Sequence, residues 1–334
     1  MLPPRFILIC CFASCVGCHA VLPTTPVVQV TVEPTVVTAD VQQVNMNAAK
    51  IAKGHGDYDE ALKIFREVLN QNPIATEAIV GIGNIYLVQR DWRRAEPAFA
   101  RAVKLEPRNF DAQYGHAVSL QMLKKFVDAV RAYHRALTIR PEDMGANMNI
   151  ATTYLQMGRP QSALVFAERA VELEGELAPA QITLAATYQL LDRPNDALES
   201  YIAASEEMDE PSPQLMRNII YLLTKEKRYQ EVVNTTTQLV QLDPTTETYE
   251  QLGWAEFRLG DYESSLESYK TAVDYDQTNW RALNGVGVNE LNNWLLGEKT
   301  DIESYQTART VFRRSLALNP DQPKVITLIL RYGL

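Results

Sequence analysis

Residues 76–109, TEAIVGIGNIYLVQRDWRRAEPAFARAVKLEPRN, contain the pattern that decides the fold. In this stretch Gly83 precedes Ala95 by twelve positions, the aromatic Phe99 follows Ala95 by four, and Pro107 follows it by twelve. The spacing recurs along the chain at residues that are each 34 positions apart, namely Ala61, Ala95, Ala129, Ala163 and Ala197. A period of this length is typical of stacked units that each contain two helices.

Each position of the repeat has a physical interpretation. Small residues let two helices approach closely, aromatic side chains fill the gap between neighbouring units, and proline ends the second helix. The later units depart from the pattern, because Val232, Ser265 and Ala308 occupy the alanine position. One unit cannot bury its own apolar face, so we expect the units to stack around a continuous core.

The pattern of Gly83, Tyr86, Ala95, Phe99 and Pro107 resembles the tetratricopeptide repeat family. The resemblance implies an all-α fold, an α-solenoid (superhelix) of about eight helix-turn-helix repeats that is closed by a C-terminal capping helix at 323–334. We predict that the repeats fill residues 42–322, with an insertion in the last of the units 42–75, 76–109, 110–143, 144–177, 178–211, 213–245, 246–279 and 280–322.

The N-terminus has the features of an export signal. Arg5 precedes an apolar run at residues 6–16, which is too short to cross a hydrocarbon core of roughly 30 Å as a helix but suits a signal peptide. The run ends in Cys15-Val16-Gly17-Cys18, which resembles the lipobox of bacterial lipoproteins. We therefore predict a signal peptide at 1–17, lipidation of Cys18 with Cys15 as the alternative, and a lipid-anchored flexible tether at 18–41.

The same residues leave two other interpretations open. Cleavage after Ala20 would release a secreted soluble repeat module. Residues 15–19 also form C-x-x-C-H, the attachment pattern of c-type haem, which would make the chain a haem protein or an enzyme accessory protein. His19 is not Asp, and in lipoproteins this implies sorting to the outer membrane, facing the periplasm, where the host has two membranes.

Composition and motifs argue against catalysis. With 32 basic and 41 acidic side chains the net charge is −9, the wrong sign for general nucleic-acid binding. No catalytic or phosphate-binding motif is present, and the four histidines are never spaced as i and i+4 metal ligands. We predict no enzyme activity, no cofactor, no metal and no small-molecule substrate.

The resemblance also implies where partners bind. In tetratricopeptide proteins the first helix of each unit lines a concave groove that takes peptides or helices. The candidate groove residues are Asn84, Tyr114, Met148, Ile182, Gln189, Arg217, Tyr221, Trp254 and Arg258. Trp294, in the insertion of the eighth unit, is a further candidate contact. The predicted function is a non-catalytic protein–protein interaction scaffold of the cell envelope, serving a secretion, pilus or export complex whose identity stays open.

Overall fold

The computed structural model describes residues 39–174 and 177–334. This part of the chain contains seventeen α-helices and no strand. The helices are α1 (Ala39–Gly54), α2 (Tyr58–Gln71), α3 (Thr76–Val88), α4 (Trp92–Leu105), α5 (Phe110–Met122), α6 (Phe126–Ile139), α7 (Met144–Gln156), α8 (Pro160–Leu173), α9 (Ala178–Leu190), α10 (Pro194–Glu206), α11 (Pro213–Lys225), α12 (Tyr229–Leu242), α13 (Thr246–Leu259), α14 (Tyr262–Tyr275), α15 (Trp280–Leu296), α16 (Ile302–Leu318) and α17 (Pro323–Tyr332).

Consecutive helices pack against one another from α1 to α17. They form eight helix pairs in sequence order, and α17 covers the last pair by packing on α16. The predicted fold class, an all-α solenoid of about eight helix-turn-helix repeats with a C-terminal helix, is confirmed.

The turn between the two helices of a unit has a repeated backbone geometry. One residue of this turn has a positive φ in each of the first seven units, and it is glycine in only three of them. These residues are Gly56, Arg90, Lys124, Gly158, Asp192, Lys227 and Gly260. A residue in the left-handed backbone conformation ends a helix by reversing the direction of the chain. A residue other than glycine adopts this conformation at some cost in strain.

The core between units depends on close contact between aromatic rings and small residues. Phe99 on α4 is fully buried between Gly83 on α3 and Gly115 on α5. A Cβ atom at Gly115 would lie 2.3 Å from the Phe99 ring, so any side chain there would force the ring or the helices to shift. Tyr269 lies in the same way between Gly253 and Gly285.

The sixth unit, α11 and α12, reverses this distribution of volume. Ile220 occupies the position of Gly83 and is fully buried, whereas Thr236 occupies the position of Phe99. The link between α10 and α11, residues 207–212, is also longer than the four-residue links 72–75, 106–109 and 140–143. Unit six therefore joins the stack with a different spacing.

Several predictions concern residues outside the described part of the chain. They are the signal peptide 1–17, Cys15, Cys18 and most of the tether 18–41, of which α1 includes the last residues from Ala39 onward. Among residues 39–174 and 177–334, no helix combines the length and hydropathy needed to cross a membrane.

Candidate protein-binding groove

The first helices of the units form the inner side of the solenoid. Direct contacts join α1 with α3, α3 with α5, α5 with α7, α7 with α9, and α13 with α15. The second helices make no comparable contacts with each other in the described residues. Because the closer-packed row of helices lies inside the curve, the odd-numbered helices line a concave surface, here called the groove.

The exposure of the odd-numbered helices follows one register. In α5, Asp111 and Met122 are exposed while Tyr114 and Val118 are half-buried, and in α9 Pro179 and Leu190 are exposed at the matching ends. These residues occupy the second, fifth, ninth and thirteenth positions of their units. Among the predicted groove residues that share these positions, the half-buried ones are Asn84, Tyr114, Met148, Ile182, Arg217 and Trp254, and the exposed ones are Tyr221 and Arg258.

Tyr114 is held by neighbours on three helices. Its ring stacks on Phe110 with 5.7 Å between centroids and meets Tyr133 edge-on at 6.1 Å. Its hydroxyl accepts a hydrogen bond of 2.8 Å from the side-chain amide of Asn149. Burial raises the pKa of the Tyr114 phenol, so the hydroxyl stays neutral and available as a donor.

Tyr221 on α11 is the most open aromatic side chain of the groove among the described residues. It is 55% exposed, and α11 lies farther from α9 and α13 than other first helices lie from their neighbours. Arg217, one turn earlier, forms an ion pair with Asp243 of the same unit. Lys225, one turn later, pairs with Asp192 at 2.7 Å. The tyrosine thus stands on a polar helix face with charged pairs at either end.

Trp254 and Arg258 form an aromatic and cationic cluster on α13. The Trp254 ring meets Tyr229 edge-on at 5.6 Å, and the Arg258 guanidinium lies 4.9 Å from the Tyr229 ring and 5.9 Å from the Trp254 ring. An N–H of Arg258 also donates to the Tyr229 hydroxyl at 2.8 Å. The arginine is therefore positioned by aromatic rings at the edge of the groove.

The other predicted contacts lie deeper in the packing. Gln189 is half-buried and its side-chain carbonyl accepts a hydrogen bond of 3.2 Å from Tyr201. Ile182 packs against the apolar cluster that α10 and α11 share. Both side chains support the groove wall and present only part of their surface to it.

Trp294 lies in the extended eighth unit, where α15 and α16 have 17 residues each. Its ring centroid lies 5.0 Å from that of Tyr305 and 6.3 Å from that of Tyr332. The indole N–H donates to the Lys299 carbonyl at 3.1 Å. Trp294 thus packs against α16 and α17, whereas residues 296–300 of the insertion are exposed.

An apolar row whose members are not among the predicted groove residues runs along the groove. Val88 and Leu190 are each 59% exposed and Met122 is 43% exposed, all at the thirteenth position of their units. Their shared spacing of 34 and 68 residues is the signal that could have identified them. Among the described residues, no group of three or more His, Cys, Asp or Glu side chains is arranged to hold a metal ion.

The helix pairs and the groove define a repeat solenoid with a concave inner surface, and the match to family models identifies its kind. Models described as tetratricopeptide repeat match residues 43–73, 80–143, 145–176 and 250–323, which is more than half of the chain. The chain belongs to the tetratricopeptide repeat family. The matched ranges leave out residues 177–249, which contain α9 to α12.

Solved structures share the fold at low sequence identity. PilW, described as a widely conserved type IV pilus biogenesis factor, superposes with a TM-score of 0.57 at 18% identity, covering 63% of this chain and 97% of PilW. The pilF protein of Pseudomonas aeruginosa gives 0.56 at 16% identity, covering 64% and 96%. YrrB, described as having an unusual peptide-binding site, gives 0.51 at 18% identity, covering 60% and 98%. No curated protein sequence matches the chain.

Proposed function

We propose that this protein is a non-catalytic scaffold of the cell envelope that holds a partner segment, a peptide or a helix, in the groove. The observation that carries the proposal is the open position of Tyr221, an aromatic side chain 55% exposed on the inner row of helices. Large amphipathic side chains of this kind dominate binding energy at protein interfaces because they bury much area at little entropic cost. The apolar row at Val88, Met122 and Leu190 extends the same surface toward the N-terminus.

The envelope setting rests on the leader and on the relatives. The lipobox-like residues 15–18 support an anchor at Cys18, with Cys15 as the alternative. PilW is described as a pilus biogenesis factor, which makes assembly of a pilus or a related envelope complex the preferred setting for this chain. The partner is then a protein of that assembly.

The groove is tested by crosslinking in envelope membranes, comparing the intact protein with Tyr221→Ala and with Tyr221→Ala combined with Trp254→Ala. We expect the captured partner to be lost from both variants. Tyr275→Ala is the matched control, because Tyr275 is also 55% exposed but lies on a second helix, α14. Helical circular dichroism must show that all three variants are folded.

A partner retained by the Tyr221 variants as strongly as by the Tyr275 control would exclude the groove as the binding surface. A partner lost from all variants alike would point to general destabilisation and would also count against the groove.

The anchor has its own test. We expect Cys18→Ser to move the protein from the membrane fraction to the soluble fraction and Cys15→Ser to leave it in place, since only the acylated cysteine holds the chain. Mass spectrometry of the mature N-terminus separates this outcome from cleavage after Ala20. A colourless purified protein would remove the haem interpretation of residues 15–19.

A further inference from the structure

A pocket opens into the groove between α13 and α15, near the C-terminal end of the solenoid. Its volume is about 300 Å³. Trp254 and Phe257 on α13 and Val288 on α15 supply apolar walls, and Arg258 and Arg281 contribute one guanidinium from each helix. The pocket therefore combines an apolar surface with two cations.

The floor of the pocket is rigid. Tyr269 from α14 lines it and is 8% exposed. The ring fits between Gly253 and Gly285, where a Cβ atom at Gly285 would lie 2.2 Å away. Because the glycines hold the ring in place, the spacing of α13 and α15 and the width of the pocket are set by the core.

Arg258 is oriented without being neutralised. It rests on the Tyr229 and Trp254 rings and uses one N–H to donate to the Tyr229 hydroxyl. In the described part of the chain no carboxylate oxygen lies within 4.0 Å of its guanidinium nitrogens. A guanidinium has five N–H donors, so most of them are left for a ligand.

Arg281 is held in a similar way on the opposite helix. Its guanidinium lies 4.8 Å from the Trp280 ring, and it has no ion pair within 4.0 Å among the described residues. Glu250 is close enough to feel its charge, but that carboxylate accepts a hydrogen bond of 3.1 Å from Asn279. Burial raises the pKa of Glu250, and the charge of Arg281 works in the opposite direction.

Several arginines of the described chain have no ion pair, but Arg258 and Arg281 are the two that line this pocket. Arg217 in the same groove has its carboxylate partner in Asp243. Two preoriented guanidinium groups beside an apolar wall match a carboxylate next to an apolar side chain, because charge-assisted hydrogen bonds to a planar carboxylate are strong and directional.

We infer that this pocket binds an internal Asp or Glu side chain of the partner, with an adjacent aliphatic or aromatic residue seated against Trp254 and Val288. The inference rests on the proposed function, whose groove it makes specific. An internal segment is favoured because the groove continues from the pocket toward Tyr221 on α11, so that the partner chain runs past the pocket.

The probe is a random dodecapeptide library with acetylated and amidated ends, so that side chains supply its only carboxylates. Peptides are selected on the full-length protein and their affinities are measured by fluorescence polarisation. We expect an acidic residue beside an apolar one to be enriched. Arg258→Gln combined with Arg281→Gln should weaken the selected peptides at least about tenfold, since losing one side of a charge pair at an interface has a large effect.

The matched control is Arg309→Gln combined with Arg313→Gln, which removes the same charge from exposed positions on α16. This variant should bind the selected peptides as the intact protein does. Replacing the acidic peptide residue by Asn or Gln should weaken binding to the intact protein equally and should have no further effect on the Arg258 and Arg281 variant.

Three outcomes would overturn the inference. The first is a set of selected peptides without acidic residues, and the second is unchanged binding of the selected peptides to the pocket variant. The third is a second library, with free C-termini, in which only a terminal carboxylate is recognised. Some peptides could not distinguish the intact protein from the Arg258 and Arg281 variant, yet fail to bind the variant with Tyr221→Ala and Trp254→Ala. This result would overturn the inference about the pocket but still support the proposed groove. Peptide affinity that neither set of substitutions changes would count against the groove itself. A selection without any enrichment would count against it as well.

Discussion

The second and sixth units place their large core side chain on different helices. In the second unit the large side chain lies on the second helix, α4, and the small one on the first, α3. In the sixth unit the large one lies on the first helix, α11, and the smaller one on the second, α12. Phe99 on α4 fills the space left by Gly83 and Gly115. In the sixth unit the fully buried Ile220 on α11 takes the position of Gly83, and Thr236 on α12 takes the position of the ring. Both arrangements fill the core, because a core tolerates redistribution when its total volume is kept.

The difference has a consequence for the groove. A first helix with glycine at the contact, such as α5 with Gly115, packs directly against α3 and α7. The large apolar side chains of α11, including Leu222 and Leu223, all lie on its core side, and its polar face is left to the groove with Tyr221 upon it. The irregular unit is thus where the groove presents its most open aromatic side chain.

The largest expected effect is at the contact of Phe99 with Gly83 and Gly115, here called the regular seam. Phe99→Ala should lower the free energy of unfolding by about 3–5 kcal/mol, because it leaves a ring-sized cavity between three helices. Urea titration followed by helical circular dichroism measures this loss. Loss of less than about 1 kcal/mol would show that the seam collapses and that the ring does not set its spacing.

Overpacking the same seam should have the next largest effect. Gly115→Ala places a Cβ 2.3 Å from the Phe99 ring, and we expect a loss of about 1–3 kcal/mol in urea titration. Gly54→Ala, which adds the same Cβ where no atom lies within 4 Å, is the control and should not destabilise the protein. Equal losses at the two positions would mean that the contact with the Phe99 ring is not the cause.

Much of this fold could be predicted from spacing alone. The period placed helix pairs even in the sixth unit, where Val232 replaces alanine, because two helices and two short links must fit each stretch of about 34 residues. The volume exchange between Ile220 and Thr236 was not predicted, since it depends on contacts between two helices and not on the pattern of either one.

The groove was less predictable for the same reason. Tyr221 and Trp254 both occupy the ninth position of their units, yet Tyr221 is open while Trp254 packs on Tyr229. Their exposure depends on how far the neighbouring first helix lies, which the sequence period does not encode. Arg281 was not predicted as a site residue. It matters because its guanidinium lines the pocket and has no carboxylate partner within 4.0 Å in the described chain, and only the fold reveals these properties.

A smaller effect of opposite sign is expected within the sixth unit. Thr236 is fully buried, and its hydroxyl has no hydrogen-bond partner among the described residues. Thr236→Val keeps the shape and removes the unpaired hydroxyl, so it should stabilise the protein by about 1 kcal/mol in urea titration. Thr237→Val, which alters an exposed hydroxyl bonded to Val233 at 2.8 Å, should stabilise less. A destabilised Thr236→Val variant would show that the hydroxyl is needed.

The smallest expected effect separates the turns from the seams. Lys124 in the third unit and Lys227 in the sixth have φ values of 59° and 60°. Glycine relieves the strain of this conformation but adds freedom to the unfolded chain, so Lys124→Gly and Lys227→Gly should each change stability by no more than roughly 1 kcal/mol. The two changes should be equal within error in urea titration, because the turn geometry is the same. A clear difference between the two changes would mean that the sixth unit differs from the others at its turn, and not only in the core positions of Ile220 and Thr236.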